Sequence, residues 1–365
     1  MSEWQTFCLK DLVKIFGGST PPTNNSKNYG NKIRWITAKD LSTLQGRYIK
    51  KGSRSISRLG FKSCSTFLLP KHAILFSVRA PIGYTAIISK RSCTGRGLMG
   101  LVPNKKIYFE FLYYLLKYHK DNISNMGVGT TFKGISKPAL GLFKVKIPPT
   151  YYEQQKIART LSILDQKIEN NHKINELLHT LAYKIYEYYF KYKPKNAKLE
   201  QIIIENPKSS IMVKNAQKTQ DKYPFFTSGD NILSYPKAII DGRNCFLNTG
   251  GNAGIKFYVG KASYSTDTWC ICANEFSDYL YLLLSSIKTH INQSFFQGTS
   301  LKHLQKNLLK KYPIYMPSVH EIKKFNQIIT PLLTLISINT RTSKKLEQIR
   351  DFLLPLLLKQ QVKPQ

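Results

Sequence analysis

The chain is poor in acidic residues. Its 365 residues include 21 Asp and Glu against 55 Lys and Arg, which gives a formal net charge of +34 at pH 7. Between Asp40 and Glu110 there is no acidic residue, although thirteen Lys and Arg residues lie there. Solubility requires charge of either sign but not the exclusion of carboxylates, so this stretch favours a surface that faces phosphate groups. A nuclease is disfavoured, because its site needs a cluster of carboxylates.

Cysteine and histidine show no pattern typical of a metal site or a disulfide framework. The six cysteines are scattered and the seven histidines do not cluster. Cys270 and Cys272 place their side chains on one face of a predicted strand, which favours buried free thiols. No apolar run approaches the ~20 residues that span a bilayer, and residues 1–5 do not resemble a signal peptide. We therefore expect a cytoplasmic, reduced protein without a metal site and without a membrane partner.

Catalytic motifs are also missing. Gly260 and Lys261 lack the preceding glycine of a phosphate-binding loop, since that position is Ile255. Asp165 and Glu321 each have an acid–x–lysine spacing that nucleases use, but both lie on predicted helices, where charges beside an apolar stripe are ordinary surface residues. No catalytic residue is predicted.

Two related helices are the clearest feature that is present. Within the stretch from Glu153 to Phe190, apolar residues recur every three or four positions up to Ile168 and, after a polar patch, again from Leu178 to Ile185. The same pattern, with its polar interruption, returns 168 residues later without a gap. Such narrow stripes predict two helices that pair as a coiled coil. The first should run from about residue 152 to 190, roughly 55 Å, and the second should start near Val319 and be kinked or interrupted at Pro331 and Pro355. The predicted seam residues are Ile157, Leu161, Leu164, Ile168, Leu178, Leu181 and Ile185 in the first helix, and Phe325, Ile329, Leu332, Ile336, Leu346, Ile349 and Leu353 in the second.

The segments that precede the two helices repeat as well. Short β-like runs, turns and one amphipathic helix occur in each, which predicts two α+β globules separated by the helices. The expected boundaries are 1–150 and 194–317 for the globules, and 151–193 and 318–365 for the helices. Predicted strands are 35–37, 73–78 and 85–88 in the first globule and 245–247, 256–259 and 269–272 in the second, and the predicted helices are 109–118 and 279–288.

Several loops carry residues suited to DNA recognition. Arg79 and Arg96 lie in loops that contain proline or glycine, where a guanidinium is able to bind the two acceptors of guanine. Asn248 and Asn252 supply short amides in the corresponding part of the second globule. Two Gly-Thr loops, each followed by a lysine, are suited to phosphate oxygens. Their residues are Gly129, Thr130, Thr131 and Lys133 in the first globule, and Gly298, Thr299, Ser300 and Lys302 in the second.

Several stretches together point to a known family. Ile147-Pro148-Pro149 leads to Glu153-Gln154-Gln155-Lys156-Ile157, and the tail reads 345–355 as KLEQIRDFLLP. Residues 75–83, LFSVRAPIG, look like a signature of one recognition domain, and residues 265–268, STDT, look like its partner in the other. Over essentially its whole length, the chain resembles the specificity (S) subunit of type I restriction–modification enzymes.

The resemblance implies two tandem target-recognition domains, each reading one half of a split, asymmetric double-stranded DNA site. An antiparallel, pseudo-two-fold helix pair would act as a ruler between them and as the docking surface for two methyltransferase subunits. S-adenosylmethionine would belong to those partners, and ATP and Mg to the restriction/translocase subunits, so no cofactor and no catalysis is expected here. Where the first helix has Glu153-Gln154, the second has Glu321-Ile322, which predicts unequal docking surfaces.

Other classes of function remain open from the residues. A specificity partner of a fused type II restriction-methyltransferase would use the same domains. A stand-alone DNA-binding regulator would bind its site tightly without a methyltransferase. Membrane binding is disfavoured, because the basic residues are spread through a globule and do not line an amphipathic helix.

Overall fold

A computed structural model describes residues 3–79, 81–129, 133–216 and 222–364, which form two compact mixed α/β units. Unit 1 comprises residues 1–170 and 343–365, and unit 2 comprises residues 171–342. Each unit therefore takes part of both long helices. None of the helices within the described ranges is both long and apolar enough to cross a membrane.

The described residues of unit 1 form ten strands and the following helices. The strands are β1 Gln5–Cys8, β2 Val13–Gly17, β3 Tyr29–Ile36, β4 Tyr48–Ile49, β5 Arg54–Ile56, β6 Ile74–Ser77, β7 Thr85–Ile88, β8 Cys93–Thr94, β9 Leu98–Pro103 and β10 Lys144–Ile147. The helices are α1 Leu9–Leu12, α2 Ala38–Ser42, α3 Arg58–Lys62, α4 Phe109–Tyr118, α5 Lys120–Asn125, α6 Lys137–Leu142, the first part of α7, Tyr151–Tyr186, and the last part of α12, Val319–Leu358.

The core of unit 1 lies between a five-stranded sheet and helix α4. The sheet has the order β2-β9-β6-β7-β4, and a separate three-stranded sheet has the order β5-β3-β8. The predicted apolar face of α4, with Phe111, Leu112 and Leu115, is buried against the sheet. Ile157 and Leu161 of α7 lie in the same core, so the long helix is part of the packing that holds the globule together.

Unit 2 repeats this plan with fewer residues. The strands are β11 Ala197–Lys198, β12 Ile204–Glu205, β13 Tyr223–Phe226, β14 Leu233–Tyr235, β15 Arg243–Asn248, β16 Ile255–Val259, β17 Ser263–Tyr264, β18 Thr268–Cys272, β19 Phe296–Gln297, β20 His303–Leu304 and β21 Pro313–Ile314. A π-helical turn, Glu187–Lys191, follows α7, and the helices are α8 Val213–Ala216, α9 Ser277–Ser286, α10 Lys288–Ser294, α11 Lys306–Lys310 and α12 Val319–Leu358.

The two units share their strand topology. The sheet order β12-β18-β15-β16 matches β2-β9-β6-β7, and the parallel pair β13 and β17 matches the parallel pair β3 and β8. Helices α4 and α9 both have ten residues, 168 positions apart. All six predicted strands are confirmed. Both predicted helices are confirmed too, although α9 begins at Ser277, two residues earlier than predicted.

The long helices pair in antiparallel fashion within each unit. In unit 2, Asn175 accepts a hydrogen bond from Asn339 Nδ2 at 2.9 Å, whereas Phe190, later in the chain, packs on the earlier Phe325. Such a half-buried polar pair favours one register of the helix pair. Helix α12 continues through Pro331 and Pro355, so the helix is not interrupted at either proline.

Twelve of the fourteen predicted seam residues are buried or half-buried, but Leu181 and Ile349 are 48% and 47% exposed. These two positions are equivalent in the repeat, so the error is the same in both helices. After the polar patch the buried face lies one residue later than predicted. In unit 2 it includes Ala182 next to the predicted Leu181, and in unit 1 it includes Leu354 next to the predicted Leu353. A strict spacing of three and four misses this shift, because the helices pack on the globules as well as on each other.

Candidate nucleic-acid interface

The basic stretch of unit 1 is a surface feature with one exception. Twelve of its thirteen Lys and Arg side chains are exposed. Arg47 is the exception, since its side chain is only 3% exposed and is surrounded by carboxylates. The expectation that the whole stretch faces phosphate is therefore wrong for Arg47.

The loop that carries Arg79 lies where several strands of unit 1 meet. Ser77 of β6 pairs with Leu98 of β9, so the end of β6 and the start of β9 share one edge of the sheet. Val78 N donates to Gly97 O at 2.9 Å. Gly97 has a φ of +92°, a conformation that favours glycine. Arg79 is exposed at this edge.

A hairpin closed by the bridge between Val128 and Gly134 lies next to Arg79, and its described residues flank the first Gly-Thr loop. Ile135 N donates to Val78 O at 2.9 Å, and Gly134 forms isolated antiparallel β-bridges with both Arg79 and Val128. Lys133 is exposed on this hairpin. Gly129 is exposed as well, with a φ of +138°, whereas Thr130 and Thr131 lie outside the described residues. Arg96 is exposed at the same edge, and its backbone N donates to Thr20 Oγ1 at 3.2 Å. The structure thus brings together the basic candidates Arg79, Arg96 and Lys133.

Unit 2 presents the second Gly-Thr loop on the hairpin formed by β19 and β20. Gly298 has a φ of +141°, and the side chains of Thr299, Ser300 and Lys302 are exposed. Gly251 N donates to Lys302 O at 2.9 Å, which ties this hairpin to the loop after β15. The two predicted recognition loops of unit 2 are therefore neighbours, as they are in unit 1.

The two predicted asparagines differ in position. Asn248 is 6% exposed; its Nδ2 donates to Asn252 O at 3.1 Å and its Oδ1 accepts from Lys256 Nζ at 3.1 Å. Because both ends of the amide bind the protein, Asn248 supports the loop from inside and does not offer its amide to DNA. Asn252 is exposed on the same loop, so its contact with DNA stays a prediction.

Buried charges fix the first globule to helix α7. Arg47 Nε lies 3.1 Å from Glu169 Oε1, and Arg47 Nη1 lies 3.2 Å from Glu110 Oε1. The backbone N of Arg47 donates to the same Glu169 oxygen at 2.8 Å. Burial alone would lower the pKa of Arg47, but the neighbouring carboxylates outweigh it and raise that pKa. The arginine therefore remains charged and anchors an edge strand to the helix.

The same cluster continues to the end of helix α12. Arg350 Nη1 lies 2.7 Å from Asp165 Oδ1, and the hydroxyl of Tyr114 donates to Asp165 Oδ2 at 2.6 Å. Burial and the Asp165 carboxylate raise the pKa of Tyr114, which keeps the hydroxyl a donor. No sequence signal identified this cluster, because its members are far apart in the chain.

In unit 2, different residues at equivalent places fix the globule to helix α12. Arg243 makes a bidentate pair with Asp278, at 2.7 and 2.8 Å, and its Nη1 donates to Thr334 Oγ1 at 2.9 Å. Val259 N donates to Ser337 Oγ at 3.0 Å. Ser337 corresponds to Glu169 in the repeat, so each helix receives a backbone N–H from its globule at the same position.

Exposed apolar residues lie on the outer side of the long helices. On α7 within unit 2, Ile174, Leu177 and Leu181 are 42%, 70% and 48% exposed at spacings of three and four, which places them on one face. On α12 within unit 1, Ile349 and Phe352 are 47% and 68% exposed. A row of large apolar side chains in water is typical of a protein-binding surface.

Gln154, in contrast, faces the interior. Its Oε1 accepts from Tyr108 N at 2.8 Å, and its Nε2 donates to Lys106 O at 3.0 Å and Pro148 O at 3.2 Å. Its counterpart Ile322 is also buried. The two residues differ inside the units, so unequal docking surfaces do not follow from them.

Comparison with known proteins assigns the family. The chain matches the type I restriction modification DNA specificity domain over residues 1–180 and again over 195–348. Two tandem copies of this domain on a helix pair define a specificity subunit, and the chain belongs to this family. Within the described ranges, no group of three or more His, Cys, Asp or Glu is placed to hold a metal ion.

Individual relatives agree with this assignment. The chain is 28% identical to the type I restriction enzyme MjaIX specificity subunit of Methanocaldococcus jannaschii, over 98% of this chain and 93% of that protein. It is 26% identical to the HindI specificity subunit of Haemophilus influenzae over 46% of this chain and 37% of that protein. The fold matches the crystal structure of a type I S subunit from M. genitalium with a TM-score of 0.65, at 18% identity, over 98% of this chain and 96% of that one.

Proposed function

We propose that the chain is the DNA-specificity subunit of a type I restriction–modification complex, that it reads a bipartite, asymmetric site and that it docks adenine-methyltransferase subunits. The observation that carries the proposal is the recurrence, in both units, of a hairpin with an exposed lysine beside a loop at the sheet edge. Two such surfaces in one chain suit two half-sites. Because their side chains differ, the two half-sites differ as well.

The charge of the chain supports binding to the DNA backbone. Lysines 133 and 302 occupy the same place on the two hairpins and are exposed. An exposed lysine neutralises phosphate and releases counterions, which contributes affinity without sequence preference. The remaining loop side chains would then read bases in the groove.

The long helices support the proposed ruler between half-sites. Helix α7 has 36 residues and α12 has 40, each unbroken. At about 1.5 Å per residue each is roughly 54–60 Å long, which exceeds one ~34 Å turn of B-DNA. We propose that this length sets the number of unread base pairs.

One exposed apolar row in each unit is proposed as a methyltransferase docking surface, in place of the seam residues. In unit 2 the row is Ile174, Leu177 and Leu181 on α7, and in unit 1 it is Ile349 and Phe352 on α12. Two methyltransferase subunits would bring S-adenosylmethionine, and restriction/translocase subunits would bring ATP and Mg. The chain itself would catalyse nothing, and its residues would bind and orient the DNA.

Purification of the tagged full chain from its source cell tests the docking. We expect two methyltransferase subunits for each chain. Leu177→Asp combined with Leu181→Asp should reduce this ratio, because it puts two charges in an apolar contact. Glu176→Lys changes the charge of an exposed neighbour on the same helix and serves as the control.

A second candidate, the stand-alone regulator, predicts the opposite result. In that case, the purified chain alone would bind a specific duplex tightly, and no methyltransferase would accompany it. If the chain is instead the specificity partner of a fused type II restriction-methyltransferase, one larger polypeptide that carries both activities should copurify with it.

A further inference from the structure

Backbone hydrogen bonds identify which residues of the two recognition surfaces are equivalent. In unit 1, Val78 N donates to Gly97 O, and Val78 O accepts from Ile135 N. In unit 2, Thr249 N donates to Asp267 O at 3.2 Å, and Thr249 O accepts from Leu304 N at 3.0 Å. Val78 and Thr249 therefore occupy the same place in the two units.

The residue that follows each of them differs in kind. Arg79 follows Val78 and forms a β-bridge with Gly134, whereas Gly250 follows Thr249 and forms a β-bridge with His303. A Cβ on Gly250 would meet nothing closer than His303 Nδ1, at 4.0 Å. The backbone of unit 2 thus has room for a side chain at this position, so the missing arginine is a difference in the reading surface and not a demand of the fold.

A second arginine shows the same difference. Arg96 stands two residues before β9, and Thr266 stands two residues before β18. In both units the backbone N of this residue donates a hydrogen bond to the loop that follows the first strand of the sheet order, β2 or β12. Arg96 N donates to Thr20 Oγ1, and Thr266 N donates to Ile211 O at 3.0 Å. Lys133, in contrast, has the equivalent Lys302. The lysine is shared by both units, and the two arginines belong to unit 1 alone.

The arginines are available for a ligand. Both are exposed, and neither guanidinium has an ion pair or hydrogen bond to another residue of the described part of the chain. The acid-free stretch between Asp40 and Glu110 contains both of them. An arginine in a loop that is held by backbone hydrogen bonds on two sides is well placed for a bidentate contact to guanine N7 and O6.

We propose that Arg79 and Arg96 are specificity-determining residues that recognise guanine in one half-site, the half-site of unit 1, and that the half-site of unit 2 is read without arginine at these positions. This proposal rests on the proposed function. Lys133 and Lys302 would hold the DNA backbone at both half-sites and carry no sequence preference.

The test uses the purified complex of the full chain with its methyltransferase subunits. A genomic methylation map first defines the motif, and binding is then measured for the motif duplex and for duplexes with one base pair changed at a time. For the unaltered complex, each arginine-read G·C pair should discriminate by roughly 5- to 150-fold, the range of a bidentate base contact. Arg79→Ala and Arg96→Ala should each abolish discrimination at G·C pairs of the same half-site and leave the other half-site unchanged.

Two matched variants separate base reading from charge. Arg91→Ala removes an exposed arginine of the same acid-free stretch, next to Ser92 at the opposite edge of the sheet, and should change no base preference. Lys133→Met should weaken binding to all duplexes alike and reduce its salt dependence.

The remaining outcomes decide against the assignment. It is overturned if the two arginine variants keep full discrimination, relax pairs in different half-sites, relax A·T pairs or lose discrimination at every pair. If the unaltered complex does not distinguish the motif from scrambled DNA, the proposed function itself fails.

Discussion

The buried cluster of unit 1 allows a quantitative prediction, because unit 2 shows what can replace it. Tyr114, Asp165 and Arg350 correspond in the repeat to Leu282, Leu333 and Ala182, all of them buried in the core of unit 2. Side chains of Arg350 and Asp165 are 15% and 6% exposed. Arg350→Ala leaves the buried Asp165 without its closest cation and should cost unit 1 about 3 kcal/mol, the low end for a broken buried pair.

The single variants and the combined variant should behave differently. Asp165→Leu leaves Arg350 with the exposed Asp351 as its remaining carboxylate and should cost a similar amount. The triple variant Tyr114→Leu, Asp165→Leu and Arg350→Ala removes all three polar groups at once. It should recover most of the loss, since an apolar replacement of a buried ion pair is often neutral.

Hydrogen exchange resolves the effect by unit. In Arg350→Ala, the slowest amides of β6 should exchange roughly 100-fold faster, as about 3 kcal/mol implies, if they exchange by global opening of unit 1. Amides of β15 in unit 2 are the internal control and should not change. Unchanged exchange rates of the β6 amides in the single variants, or a triple variant that loses as much stability as the single variants together, would contradict this prediction.

Three further predictions follow from the same structure. Insertion of one heptad into both α7 and α12 should lengthen the unread spacer and leave both half-sites as they are; altered half-sites in the methylation map would contradict the ruler. Gly18→Ala should destabilise the loop after β2 in a thermal melt, because the new Cβ would lie 2.1 Å from Gly95 O, whereas Gly17→Ala meets nothing within 4 Å and should be neutral. Burial raises the pKa of Tyr186 and Tyr264 from 10.0 to about 12. Because the unfolded chain loses these protons first, the contribution of the two tyrosines to stability should be fully present below pH 10 and be lost as the pH rises through 12. A melting temperature that is unchanged across this window would contradict the prediction.

The elements and their repetition were predictable from sequence. Strands such as β7 and β16 are dense in β-branched and aromatic residues, and the apolar stripes of α7 and α12 keep a common register over 168 residues. These are local patterns, and one chain contains two copies that support each other. The uninterrupted passage of α12 through Pro331 was not predictable in this way, because the packing of the helix on unit 2 offsets one lost hydrogen bond.

The candidate site was only partly predictable. Exposed loop residues such as Arg79 and Lys133 were found from residue type and local turn signals. Arg47 looked like one more surface cation, because its partners Glu110 and Glu169 are 63 and 122 residues away in the chain. Asn248 looked like a DNA contact, because nothing local shows that Lys256 would bind its amide oxygen.

A base-resolved map of methyladenine in the source genome, recorded with the chain present and with its gene deleted, is the decisive test of the proposed specificity subunit. If the chain has this role, one split motif, two short half-sites around a fixed run of arbitrary bases, is methylated only when the chain is present. An identical map in both strains, with the chain and its methyltransferase both expressed in the undeleted strain, would contradict it.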